Sequence, residues 1–196
     1  MGESVPVATR KLTFRPGSLV IITGLPGAGK STLLRRLYGL SGQEDRPHLH
    51  GPVSIIDSGQ SRLTWAGRLS WAPKQVRTAV VWATHVGRIS RALSAGRSVV
   101  AHNRGGHPLV LYGFAWLARR GGLHLILLEV DPEQARQGQR SRGRVVPGPT
   151  FARHVRRHEA LLARVRTGDL EPAASVTVLT RPAADLVEAI DFTAGP

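Results

Sequence analysis

The chain has 196 residues, of which 41% are apolar and 20% charged, and its 27 lysines and arginines against 13 acids leave a net charge of +14. That is enough chain for one three-layer α/β domain and too little for two, and no apolar run approaches the about 20 residues needed to cross a bilayer. The absence of cysteine excludes disulfides and thiolate metal sites.

Residues 1–17 read as a polar lead-in, with a short edge strand at Lys11–Phe14 before the Pro16-Gly17 turn. Met1–Arg10 lacks the basic start, apolar stretch and cleavage site of a signal peptide, so a cytoplasmic location is the expectation. Ser18-Leu19-Val20-Ile21-Ile22-Thr23 is a β-branched run suited to a buried parallel strand, and Ser31–Leu40 carries Leu33, Leu34 and Leu37 at helical spacing. Between them lies Gly24-Leu25-Pro26-Gly27-Ala28-Gly29-Lys30-Ser31, followed by Thr32, a complete match to the phosphate-binding pattern G-x-x-x-x-G-K-[ST] in the required strand–loop–helix order. Glycines at 24, 27 and 29 allow positive φ angles and bring backbone N–H groups close to phosphate oxygens. The helix start reinforces the anion site, Lys30 reaches the β- and γ-phosphates, and the Ser31 hydroxyl is placed to ligate Mg²⁺.

Further along, Gly42–Pro52 reads as a loop and Val53–Asp57 as a second strand. A long helix is expected over Pro73–Leu93, where Val76, Val80, Ala83, Val86 and Leu93 recur, with Ala95-Gly96 as its stop. A third strand spans Ser98–Ala101, a helix Leu109–Arg120, and a strongly apolar fourth strand Leu123–Val130. Asp131-Pro132-Glu133 caps the next helix, another spans Thr150–Arg166, and a strand at Ser175–Leu179 and a helix at Ala183–Ile190 finish the chain. Five strands alternating with helices imply a mostly parallel sheet covered on both faces, within one domain over residues 1–196.

The phosphate loop, the aspartate ending the second strand, Ala95-Gly96-Arg97-Ser98-Val99-Val100, and Leu127-Leu128-Glu129-Val130-Asp131-Pro132 followed by arginines together resemble the polynucleotide-kinase and zeta-toxin group of P-loop kinases. The resemblance covers roughly residues 18–166. It implies a P-loop NTPase fold and transfer of the γ-phosphoryl group of ATP to a hydroxyl acceptor. It also implies that Asp57 is the general base, Arg62 holds an acceptor phosphate or ribose, and residues of about 136–150 form a lid whose Arg140 and Arg144 neutralise transferring charge. From the residues alone, Asp57 reads equally as the N-cap of a following helix. Gly143, Pro147, Gly148 and Pro149 read as a non-helical hinge or an exposed loop.

The third strand departs from the group's pattern. Where an acid is expected for Mg²⁺ or its water, the chain reads Ala101-His102-Asn103-Arg104. Asn103 is the positional substitute, in contact with substrate or metal water; otherwise Asp57 supplies the acid together with Ser31, or the protein binds nucleotide with little transfer. His102, Arg104 and His107 are alternative contacts for substrate phosphate.

The positive charge invites a nucleic-acid partner, but lysine occurs only at 11, 30 and 74 and the aromatics are few. Arg136–Arg166 is the densest region, with nine arginines, among them Arg153, Arg156 and Arg157 at helical spacing. Two functions remain open: a Mg·ATP-dependent kinase with an unidentified acceptor, and a nucleotide-binding regulatory or nucleic-acid-associated module. A motor ATPase is disfavoured, because no apolar strand ends in an Asp-Glu pair.

Overall fold

The computed structural model describes residues 11–102, 108–141, 143 and 145–193. Its strands are β1 (Lys11–Phe14), β2 (Leu19–Gly24), β3 (His48–His50), β4 (Val53–Ile56), β5 (Ser98–His102), β6 (Leu123–Glu129), β7 (Ser175–Thr180) and β8 (Ala189–Phe192). The helices are α1 (Lys30–Tyr38), α2 (Ser58–Trp65), α3 (Lys74–Ser94), α4 (Pro108–Leu117), α5 (Pro132–Arg140), α6 (Gly148–Arg166) and α7 (Arg181–Leu186).

Six strands form one sheet in the order β3-β4-β5-β2-β6-β7, parallel throughout except for the antiparallel β3–β4 pair. The β2 run is buried along its whole length because both sheet faces are covered, as parallel sheets require. Its alternate side chains divide the core. Val20 and Ile22 pack with Leu33 and Leu34 of α1 and Phe151 of α6, whereas Leu19 and Ile21 pack with Ile89 of α3 and Phe114 of α4. The result is the expected three-layer α/β arrangement.

The five expected strands are all present, and three local expectations change. The Gly42–Pro52 segment contains β3, which adds an antiparallel edge to the sheet. The terminal helix expected over Ala183–Ile190 ends at Leu186, and Ala189–Phe192 instead pairs in parallel with β1, aligning Leu12 with Ile190 and Phe14 with Phe192. Helix α6 begins at Gly148, so Pro149 sits in its first turn, where a missing N–H costs nothing, instead of in a hinge. In α3 the buried face is His85, Ile89, Ala92 and Leu93, while Val76 of the expected apolar stripe is exposed. Along α6, Arg153, Arg156 and Arg157 are exposed opposite Phe151, His158, Leu161 and Leu162.

Candidate functional site

The phosphate loop connects β2 to α1 at the carboxyl edge of the sheet, where ligands of open α/β sheets bind. Gly24, Gly27 and Gly29 all have positive φ (146°, 93° and 95°). At two of them the space is also closed. A Cβ on Gly24 would stand 2.8 Å from the Leu128 carbonyl oxygen, and one on Gly27 would overlap the Ala135 carbonyl of α5. Gly29 caps α1 without a side-chain hydrogen bond, and no acid lies in the first turn, which leaves the helix start suited to an anion. Leu25 and Ala28 are buried against the core, Pro26 and Gly27 are half-buried, and Ser31 and Thr32 open toward solvent.

Lys30 is buried, and its Nζ donates to the Gly24 carbonyl at 2.8 Å and the Leu25 carbonyl at 2.7 Å. Its ammonium thus lies inside its own loop. His158 of α6 is close enough that burial first, and the Lys30 charge second, push its imidazole below the ordinary histidine range.

Asp57 follows β4 directly and is the N-cap of α2. Its Oδ1 accepts the Gly59 N–H at 2.7 Å, and its own N–H donates to Oε1 of Gln60 at 3.1 Å, a reciprocal capping box. The same Oδ1 lies 3.3 Å from Nδ1 of His102, the last residue of β5. Burial pushes the Asp57 carboxyl up, but the His102 hydrogen bond and charge, the Gly59 N–H and the Ser31 hydroxyl outweigh it and hold the acid well below the usual carboxylate range. Behind His102, His85 of α3 is buried, and desolvation followed by the neighbouring His102 charge brings it down to about 4.

Ser31 and Asp57 share a cavity of about 570 Å³ with Arg35, Glu44, Gln60 and Arg62. The structure therefore brings the expected base, the loop serine and Arg62 together. Of the two lid arginines, Arg140 is exposed with its Nη1 3.8 Å from Glu133, and Arg144 lies outside the described residues, as do Asn103, Arg104 and His107. The near end of the expected lid is anchored. Gln139 is buried on α5 and uses both ends of its amide, Nε2 donating to the Pro26 carbonyl at 3.0 Å and Oε1 accepting the Val146 N–H at 2.8 Å.

Three of these groups went unread in the sequence, and His102, named there for substrate phosphate, has a contact with Asp57 that its sequence position did not reveal. Gln139 and Arg35 carry no local signal. Arg181, after β7, places its guanidinium over Gly29, with Nη1 3.1 Å from where a Cβ would stand. Only the Asp57-x-x-Gln60 capping box was legible in principle, from its spacing.

A glycine loop between β2 and α1, with a carboxylate closing β4 one strand beyond β5, is the architecture of the P-loop kinases. The chain belongs to the AAA domain family, whose model matches residues 19–167. It is similar to the ribose import ATP-binding protein RbsA 2 of Mesorhizobium japonicum (strain LMG 29417 / CECT 9101 / MAFF 303099) over a short stretch, 42% identical over 45 residues that make up 23% of this chain and 9% of that protein. Among solved structures it resembles a chain of the Pnkp1/Rnl/Hen1 RNA repair complex, with a TM-score of 0.59 and 15% identity over 78% of this chain and 46% of that one. It also resembles a gluconokinase from Sinorhizobium meliloti 1021, with a TM-score of 0.53 and 14% identity over 88% and 89% of the two chains. The chain thus spans less than half the length of the RNA repair chain and about a tenth of RbsA 2. It is a P-loop protein of that family with a kinase-like fold, and no helix among the described residues is long and apolar enough to cross a membrane.

Proposed function

We propose that the protein is an ATP-dependent phosphotransferase in which Asp57 serves an acceptor hydroxyl and Lys30 serves the nucleotide phosphates. The observation that carries this reading is the Asp57 carboxyl group, held by His102 and Gly59 beside Ser31 on one cavity. On nucleotide binding, Lys30 exchanges the Gly24 and Leu25 carbonyls for β- and γ-phosphate oxygens, while the residues from Gly24 to Thr32 cradle the phosphates.

The acceptor oxygen forms a bond to the γ-phosphorus as the bond from that phosphorus to the β–γ bridging oxygen breaks, and the hydroxyl proton passes to Asp57. A carboxylate held this far below its usual range is a weak base. Its main work is to accept a hydrogen bond that orients the hydroxyl and to take the proton once the oxygen has bonded, which suits a loose phosphoryl-transfer transition state. His102 is a positioning residue for Asp57. Arg140 and Arg144 close over the transferring group, and Arg140 leaves only a solvent-exposed contact with Glu133 to do so. Arg62 and Asn103 complete the acceptor side.

Ser31 and Asp57 fit Mg²⁺, because both offer hard oxygen donors at one point. No group of three or more His, Cys, Asp or Glu side chains among the described residues is placed to hold a metal ion, so Ser31 and Asp57 would share such an ion with phosphate and water. When bound it neutralises phosphate charge.

Asp57→Asn tests the reading, because asparagine caps a helix as well as aspartate and α2 is preserved. With labelled ATP and a panel of hydroxyl acceptors, the variant is expected to lose about 10³-fold in kcat while its thermal melt reports an intact fold. Full transfer by the variant overturns the base assignment. Nucleotide binding by the native protein without transfer to any acceptor returns the protein to the class of binding modules.

A further inference from the structure

The acceptor cavity carries a charge pattern that restricts what it takes. Four ionisable groups line it, the acids Asp57 and Glu44 and the bases Arg35 and Arg62. Glu44 is already committed. Its Oε1 accepts the Ser41 N–H at 2.7 Å and the Ser41 hydroxyl at 2.9 Å, and its Oε2 accepts the Gly42 N–H at 2.9 Å. These contacts close the loop after α1 and hold Glu44 ionised there, its carboxyl lowered by them against the effect of burial.

The two guanidinium groups are not committed in this way. Neither Arg35 nor Arg62 forms an ion pair or a side-chain hydrogen bond with any described residue. Both are nevertheless placed. Arg35 projects from α1 against the backbone of Gly42 (φ 85°), where any side chain would overlap its guanidinium. Arg62 projects from α2 beside Gly59. A Cβ on Gly59 would stand 3.3 Å from Oδ1 of Asp57 and 3.8 Å from Nη2 of Arg62, so the glycine leaves a notch flanked by the carboxylate and a guanidinium. Leu40, Leu63 and Ala66 complete the lining.

We infer that the acceptor is a small hydroxylated anion, bearing a carboxylate or phosphate that Arg62 and Arg35 hold while Asp57 meets its hydroxyl. The cavity volume, about 570 Å³, falls within the range of small-molecule sites. A guanidinium fork matches both oxyanions in bidentate fashion, and two of them on one cavity that form no ion pair with a described residue favour an anionic occupant over a neutral sugar or nucleoside. The closeness of Asp57 and Arg62 across the Gly59 notch means that hydroxyl and anion are near neighbours on the same molecule. The assignment of the hydroxyl rests on the phosphotransferase reading; the anion site does not.

Two measurements keep those apart. In the first, the phosphate loop is saturated with a non-hydrolysable ATP analogue and Mg²⁺, and inorganic phosphate is titrated by calorimetry. One further phosphate site is expected, weakened at least tenfold in the Arg35→Gln/Arg62→Gln variant, whose unchanged affinity for the analogue reports an intact fold. Absence of that site, or its survival in the variant, overturns the inference.

In the second, labelled-phosphate transfer is compared across matched acceptors: a neutral sugar, its aldonic acid, its phosphate ester, and a 5′-hydroxyl oligonucleotide. One of the two small anions is expected to exceed the neutral sugar at least tenfold in kcat/KM, and which of them does so identifies the anionic group. Each single arginine variant is expected to raise acceptor KM with ATP KM unchanged. Preference for the neutral sugar or the oligonucleotide overturns the inference. Phosphate binding without transfer to any acceptor upholds the anion site and removes the phosphotransferase reading.

Discussion

The two sides of Ser31 are built in different ways. On the nucleotide side, the phosphate loop is fixed by backbone: positive φ at three glycines, carbonyls of Leu128 and Ala135 packed where side chains would go, and a helix start with no side-chain cap. On the acceptor side, the cavity is made by side chains from α1, the loop after it and α2, and each is held by a different local device. A backbone site binds a group common to every nucleotide. A side-chain site can change its occupant residue by residue while the fold stays the same, and this is why the family and fold were recognisable before the acceptor was.

That contrast can be broken at Lys30, where the effect should be largest. Lys30→Ala removes the one side chain the loop contributes to the phosphates, and nucleotide affinity is expected to fall about 100-fold in calorimetry while phosphate binding in the acceptor cavity persists. Unchanged nucleotide affinity would mean that the loop does not hold phosphates in the proposed way.

The next effect lies behind the acceptor side. His85 is lowered from 6.5 to about 4 in the folded protein, chiefly by burial, so the unfolded chain binds its proton first as pH falls. The folded state is therefore fully favoured above about pH 6.5 and loses up to about 3 kcal/mol between there and pH 4. Thermal melts across this window should show the decline, and His85→Leu should flatten part of it. A pH-independent melting temperature would exclude a buried neutral imidazole at this position.

The smallest effect sharpens the comparison on the nucleotide side. Gln139→Ala removes two partly buried hydrogen bonds, to Pro26 and to Val146, and is expected to cost about 2 kcal/mol in chemical denaturation. It should also raise ATP KM severalfold while leaving acceptor KM alone, because it releases the phosphate loop and not the cavity. A change in acceptor KM alone would contradict the separation of the two sides.

Local chemistry explains what could be read in the sequence. The five strands of the parallel sheet and the loop between β2 and α1 follow from contiguous apolar runs and a fixed glycine spacing, and both held. Asp57 was legible twice over, as a carboxylate ending a strand and as a helix cap; its N-cap role is seen directly, and the capping box shows that one residue serves α2 while facing the cavity. What failed to show depends on distant partners. Ala183–Ile190 reads as one helix when isolated, and its end belongs to a strand because Ile190 and Phe192 meet Leu12 and Phe14 of β1. His48–His50 is three residues long and acquires its identity only from β4. His102 reaches Asp57 only because β4 and β5 lie side by side, with Ile56 registered against Ala101. Arg62 was marked only by the resemblance, and Arg35 carries no signal at all, because its place beside Gly42 depends on the loop after α1.

The pairing of β1 with β8 gives the molecule a mechanical property. The strands run parallel, so tension applied before Lys11 and after Phe192 loads their four registered pairs in shear, and they must yield together instead of unzipping one at a time. The strand is preceded by α7, whose Ala184 carbonyl and the Val187 carbonyl just beyond it are gripped by the Arg36 guanidinium of α1 at 2.7 Å each. A load on β8 therefore bears through Arg36 on the helix that begins with Lys30.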